Sequence, residues 1–133
     1  MLVLAEAFVE GLGAERVATA LARGLEAESR LSCDLCPLER SGESLDGHDF
    51  DRRMRAARAL VIAWPNLNDS TLPGSVAFEA ATRARQGGVP AYAVTAHDEL
   101  DPFEARIVDL QVVLEAGSSR ALSAVGRKLA ALV

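Results

Sequence analysis

Short runs of apolar residues alternate along this chain with segments of helical periodicity. The runs that predict β-strands are Leu2–Ala5, Leu31–Cys36, Ala59–Trp64, Pro90–Thr95 and Gln111–Leu114. The segments that predict helices are Gly13–Glu28, Asp49–Ala57, Ser75–Gln86, a segment that begins at Asp101, and Ser118–Leu132. The run ending at Trp64 is apolar throughout, which is typical of a central strand covered on both faces.

Regular alternation of strands and helices predicts a parallel sheet with helices on both faces. We therefore expect a three-layer α/β fold of the flavodoxin-like (Rossmann-like) type, with five strands in the order 2-1-3-4-5. The right-handed crossover rule leaves few other topologies. Because the sequence shows no internal repeat or linker, residues 1–133 are expected to form a single domain.

The charge balance excludes some classes of partner. The chain has 14 Lys and Arg residues against 19 Asp and Glu residues, a formal net charge of −5, which argues against nucleic-acid binding. The arginines are scattered, so they indicate composition bias and not a phosphate site. No apolar run is long enough to span a bilayer. Since Glu6 and Glu10 come too early for a signal peptide, the sequence predicts a cytoplasmic protein without membrane contact.

Cys33 and Cys36 form a C-x-x-C pair, which can indicate a redox site or half of a zinc site. Here the pair falls within a predicted strand. Positions three apart on a strand point to opposite faces of the sheet. We therefore predict two structural cysteines and no metal site.

Ligands of this fold class bind beyond the carboxyl ends of the strands, at the switch point between the first and third strands. That rule selects these candidates: Glu6, Phe8, Trp64, Asn66, Asn68, Asp69, Thr71, Gly74 and Ser75. The helix starts at Ser75 and Ser118 could hold an anion through free N–H groups, or the serines could simply cap the helices. Trp64 either completes the core or walls a pocket.

Two blocks of the sequence carry a family resemblance. The first runs from Leu-Val-Leu-Ala-Glu-Ala-Phe8 to Ala-Arg-Gly24-Leu25 and on to the segment 37–45, which includes Gly42 and Glu43. The second runs from Val61 through Trp64-Pro-Asn-Leu-Asn68 to Thr71-Leu-Pro-Gly74-Ser75. Together they resemble bacterial two-domain glycerate kinases over nearly the whole chain. The chain has only a short polar link where that family carries an inserted second domain.

The resemblance implies an ATP- and Mg²⁺-dependent kinase ancestry, but the charged motif positions differ. Glu6 and Val9 stand for the family's Asp and Lys, and Arg40 stands for an acidic residue. Trp64, Asn68 and Ser75 stand for a Glu, an Asp and a Lys. Phosphoryl transfer depends on such cations and metal-binding carboxylates. The resemblance therefore implies a degenerate relative that is not competent for phosphoryl transfer by itself.

Three functional hypotheses follow from the sequence. The leading one is a module that binds a small ligand or another protein chain, with a homodimer as one form. The second is a residual glycerate kinase that rebuilds its cleft in an oligomer, with Glu6, Glu43 and Asp69 holding Mg²⁺ for ATP. The third is an enzyme similar to nucleoside deoxyribosyltransferases, in which Glu79 is the nucleophile and Asp69 assists.

Overall fold

A computed structural model describes residues 1–8, 11–27, 30–39, 43–68, 74–101 and 110–133 of the chain. Its sheet has five strands: β1 (Leu2–Glu6), β2 (Asp34–Leu38), β3 (Leu60–Asn68), β4 (Ala91–Glu99) and β5 (Leu110–Glu115). All neighbouring strands are parallel, and their order is β2-β1-β3-β4-β5. The predicted flavodoxin-like three-layer fold is therefore confirmed.

Four helices lie in the described part of the chain: α1 (Ala14–Glu26), α2 (Phe50–Ala56), α3 (Val76–Gln86) and α4 (Ser119–Leu132). A 3₁₀ turn, Asp46–His48, precedes α2. The helix predicted to begin at Asp101 falls on 102–109, outside the described residues. None of the described helices is long and apolar enough to cross a membrane.

The sheet has a separate apolar core on each face. Leu21 of α1 and Leu122 of α4 are fully buried against one face, whereas Phe50 of α2 and Ala80 of α3 are buried against the other. β1 and β3 supply alternate residues to the two cores, which is why they read as continuous apolar runs.

Three strands differ from the prediction by more than one residue. β2 begins three residues later than predicted and ends two residues later, so it includes Pro37. Proline is tolerated there because β2 is an edge strand and needs no N–H on its outer side. β3 and β4 continue four residues beyond their predicted ends and pair there, Asn66 with His97 and Asn68 with Glu99.

The helix caps are partly as predicted. Ser75 Oγ accepts a hydrogen bond from the Phe78 N–H at 3.1 Å, and Ser118 Oγ accepts one from Ala121 N–H at 3.1 Å. Asp49, at which the second helix was predicted to begin, precedes α2 and makes no side-chain cap bond. It has a left-handed backbone (φ 55°), and its carboxylate accepts from the Arg52 side chain instead.

α1 and α4 touch backbone to backbone at two glycines. A Cβ on Gly24 would lie 2.0 Å from the carbonyl oxygen of Ser123, and one on Gly126 would lie 2.5 Å from that of Leu21. Ser123 Oγ also donates to the Ala20 carbonyl at 3.0 Å. The two helices therefore form one rigid layer, which fixes the outer groove described below.

Candidate functional site

At the predicted switch point, the large apolar side chains are buried. Trp64 follows the last β3 residue that pairs with β1, and its exposed fraction is 7%. Phe8 and Leu12 are equally buried on the other side of the sheet, and the Phe8 N–H donates to the Leu12 carbonyl at 3.0 Å. These side chains therefore pack as parts of the two cores.

The polar candidates do not converge in the described part of this edge. Glu6 is half-buried, and this burial raises the pKa of its carboxyl group. Glu43 contacts His48 Nε2 at 3.3 Å beside the 3₁₀ turn. Asn66 is exposed, and Asn68 lies at the far end of β3. Among the residues that the structure describes, no group of three acidic, His or Cys side chains is placed to hold a metal ion.

Several sequence candidates lie elsewhere. Gly42, Asp69 and Thr71 fall outside the described residues. Gly74 is exposed with φ +82°, a backbone angle that favours glycine, and it turns the chain into the Ser75 cap of α3. Gly74 and Ser75 therefore have a local role in starting α3.

Glu79, the candidate nucleophile, belongs to an ion-pair network on the surface of α3. Its carboxylate pairs with Arg83, which also contacts Asp46 at 2.8 Å and Asp51 at 3.2 Å. These contacts raise the pKa of the Arg83 guanidinium and join α3 to the turn before α2. Neither cavity described below is lined by Glu79. The deoxyribosyltransferase hypothesis stays a sequence prediction.

The cysteines face opposite sides of the sheet, as predicted from their spacing. Cys36 is buried in one core, and Cys33 packs against the other; both are free thiols. Burial, with the nearby Glu26 carboxylate, raises the pKa of Cys33 to about 11. Since the thiolate is the reactive form, neither residue has the environment of a catalytic cysteine.

A cavity of about 340 Å³ lies at the amino ends of the strands; the residues that line it are Met1, Ser32, Cys33, Asp34, Arg52, Arg53, Ala56 and Ala57. Arg53, one of two arginines that line this cavity, already forms hydrogen bonds with other protein groups. Arg53 donates twice to the Asp34 carboxylate, at 2.7 and 2.9 Å, and once to the Leu35 carbonyl at 2.7 Å. These bonds lower the pKa of Asp34 and cover the outer edge of β2. This cavity is therefore part of the structural framework.

The larger cavity, about 600 Å³, is a groove on the outer surface of the α1–α4 layer. It is lined by Glu15, Arg16, Thr19, Ala20, Arg23 and Ser119. Arg16, Thr19 and Arg23 repeat at helical spacing, so they form one stripe on the exposed side of α1. Arg16 Nη1 donates to the Gly11 carbonyl at 3.1 Å, while the side chain of Arg23 has no protein partner among the described residues.

The groove lies on the basic face of an acidic protein. α1 and α4 carry five cations and two anions: Arg16, Arg23, Arg120, Arg127 and Lys128 against Glu15 and Glu26. This net charge of +3 on two helices leaves −8 for the rest of a chain whose total is −5. Sequence reasoning missed this face because the two helices are about a hundred residues apart. The spacing of Arg16, Thr19 and Arg23 was the available signal.

Comparisons with known proteins support the fold and correct the family prediction. No family model matches the chain, and no curated protein matches it. A similar solved structure is that of a Burkholderia pseudomallei protein provisionally named pilus assembly-related. It is 21% identical, with a TM-score of 0.54 over 98% of this chain and 90% of that one. At this identity the likeness shows the fold alone.

The assignment to the glycerate kinase family is therefore wrong, because what the chain resembles in structure is a protein of a different description and no family model supports the motif matches. The motif blocks fall on features that the fold itself requires. Gly24 packs against α4, and Gly74-Ser75 starts α3. The residual-kinase hypothesis, with its ATP and Mg²⁺, rested on that resemblance and is withdrawn with it.

Proposed function

We propose that this chain is a binding module for a small anionic ligand, which lies in the α1–α4 groove. The observation that carries the proposal is the groove itself: two exposed arginines and two hydroxyl groups line a cavity of about 600 Å³. Ligand pockets commonly enclose roughly 300–1,000 Å³. This proposal places the ligand at the helical layer, whereas the sequence predicted a site at the switch point.

Charge and rigidity both support this site. A local excess of cations on an acidic molecule creates a potential that attracts anions to one face. The glycine contacts hold α1 and α4 at a fixed separation, so the groove does not have to be ordered when a ligand binds. We retain the predicted cytoplasmic location within this proposal, since two free thiols are typical of a reducing compartment.

A thermal-shift screen tests the proposal. Phosphate and carboxylate anions are expected to raise the unfolding midpoint, because a ligand that binds only the folded state stabilises by roughly 2.7 kcal/mol at a hundred times its Kd. Sodium chloride at matched ionic strength should not. The shift should disappear in the double variant Arg16→Gln, Arg23→Gln. It should persist in Arg58→Gln, which removes an exposed charge away from the groove. Equal shifts in both variants would refute the site.

Assembly with a second copy of the chain is the second candidate, and the open edge of β5 favours it. In the described part of the chain β5 pairs only with β4, while its residues Val112, Val113 and Leu114 are partly exposed. β5 carries no proline or lysine, the residues that commonly block an edge strand. Antiparallel pairing of two β5 strands about a twofold axis would continue the sheet. An assembly role would also agree with the name of the similar Burkholderia protein.

Light scattering coupled to size-exclusion chromatography tests the second candidate. We expect a dimer that becomes a monomer in Gln111→Lys, since this exposed position on β5 tolerates the new charge in the folded chain. Lys128→Gln, on the exposed part of α4, serves as the control and should leave the dimer intact. A monomeric wild-type protein at all concentrations, or a dimer unaffected by Gln111→Lys, would rule out pairing through β5.

A further inference from the structure

The residues that line the α1–α4 groove favour one class of anionic ligand over others. We infer that the groove holds the phosphate group of a phosphorylated sugar or similar polyol, an inference that rests on the ligand-binding function proposed above. The described lining of the groove offers two guanidinium groups, from Arg16 and Arg23, two hydroxyl groups, from Thr19 and Ser119, and the carboxylate of Glu15. Ala20 is the one apolar residue among the described residues that line it.

The cationic side of the groove suits phosphate better than carboxylate. Arg16 and Arg23 are seven residues apart, roughly 10 Å along the axis of α1, so their long side chains reach a common ligand from opposite ends. A guanidinium group forms paired hydrogen bonds with phosphate oxygens, and two such groups match the several oxygens and greater charge of a phosphate monoester. Thr19 and Ser119 add hydroxyl donors between them.

α4 adds a second source of donors at the same place. Ser119 and Arg120 form the first turn of α4, whose N–H groups have no acceptor within the helix. The Ser118 side chain caps Ala121 N–H, which leaves the earlier N–H groups free for another acceptor. The corresponding end of α1 is already occupied, because Glu15 N–H donates to Glu39 Oε1 at 3.0 Å. A phosphate beside Ser119 would thus meet the arginines of α1 and the start of α4 together.

The size and lining of the groove indicate what kind of molecule carries the phosphate group. The volume of about 600 Å³ exceeds what a phosphate group alone fills. The lining is more polar than apolar, and its apolar part comes mainly from Ala20, the methyl of Thr19 and the arginine stems, so the groove suits a hydroxyl-bearing body better than an aromatic one. Glu15, an acceptor without a proton to donate when ionised, suits the hydroxyl groups of a sugar or polyol.

Two-dimensional ¹H–¹⁵N NMR titration of the full chain tests the inference with four probes: glucose 6-phosphate, glucuronate, glucose and inorganic phosphate. Glucose 6-phosphate is expected to shift the amide signals of Thr19, Ser119 and Arg120. Glucuronate should bind about tenfold more weakly and glucose not measurably. Arg16→Gln and Arg23→Gln should each weaken binding of glucose 6-phosphate about tenfold, and Arg58→Gln should leave it unchanged.

The outcomes separate this inference from the proposed function. If glucuronate binds in the groove as tightly as glucose 6-phosphate, the preference for phosphate is overturned while anion binding stands. If inorganic phosphate binds as tightly as glucose 6-phosphate, the sugar part of the inference is overturned. If none of these anions shifts the amide signals of the groove, or if the shifts are insensitive to both arginine variants, the groove is not the site and both proposals fail.

Discussion

Replacement of Gly24 by alanine is expected to destabilise the protein by about 3 kcal/mol, through overpacking of the α1–α4 contact. The new Cβ would lie 2.0 Å from the Ser123 carbonyl oxygen and 2.9 Å from the Ser123 carbonyl carbon. Both are backbone atoms, so no side-chain rotation relieves the contact and the helices must separate. In an ordinary helix the same change stabilises by roughly 0.8–1 kcal/mol, so the sign of the effect is diagnostic.

Chemical denaturation followed by circular dichroism measures this change, and thermal unfolding should show a midpoint lower by about 10 °C. Gly117→Ala is the matched control. Gly117 is exposed, and its added Cβ would meet no atom within 4 Å, so we expect little change in stability. If Gly24→Ala proved as stable as the wild-type protein, the close contact of α1 with α4 would be wrong, and with it the rigid groove.

Replacement of Trp64 by alanine is expected to cost about 3–5 kcal/mol, the usual cost of truncating a large buried aromatic residue. Trp64 is 7% exposed and belongs to the core that also contains Phe50 and Met54. Trp64→Phe keeps most of the volume and should cost less than half as much. Urea unfolding followed by circular dichroism measures both variants, since the change removes the only tryptophan of the chain.

This result decides between the two roles that the sequence left open for Trp64. A residue that walls an open pocket contributes little to stability, so a loss below about 1 kcal/mol in Trp64→Ala would contradict the core assignment. The native protein offers an independent check. A buried indole is shielded from acrylamide, and strong quenching of the Trp64 fluorescence would contradict the same assignment.

Sequence periodicity predicted the fold well because the strands in the middle of the sheet are buried on both faces. Residues of β1 and β3 such as Leu2, Val3, Val61 and Ile62 must all be apolar, whatever the surroundings of the sheet. The caps at Ser75 and Ser118 were also predictable, since a cap bond joins residues only three positions apart. The errors fell on β2, where an edge position admits Pro37, and on the paired extensions of β3 and β4.

The candidate site was predicted less well, for a reason that the motif matches illustrate. Gly24, Gly74 and Ser75 match positions of a family motif, but each has a structural role that many sequences of this fold would share. The sequence offered Glu79 as an exposed helix residue that could act as a nucleophile. In the structure its carboxylate pairs with Arg83, which Asp46 and Asp51 also contact. The role of a charged residue depends on neighbours that local spacing does not specify.

The sequence by itself determined the α/β architecture and the opposite orientations of Cys33 and Cys36, because these follow from short-range periodicity. The strand order was predicted from the fold class that regular strand–helix alternation favours. Only the tertiary structure decided that Gly24 and Gly126 bring α1 against α4, and that scattered arginines become a basic face beside Ser119. Periodicity predicts which side of a helix or strand is buried. It does not predict which helix from a distant part of the chain packs beside it.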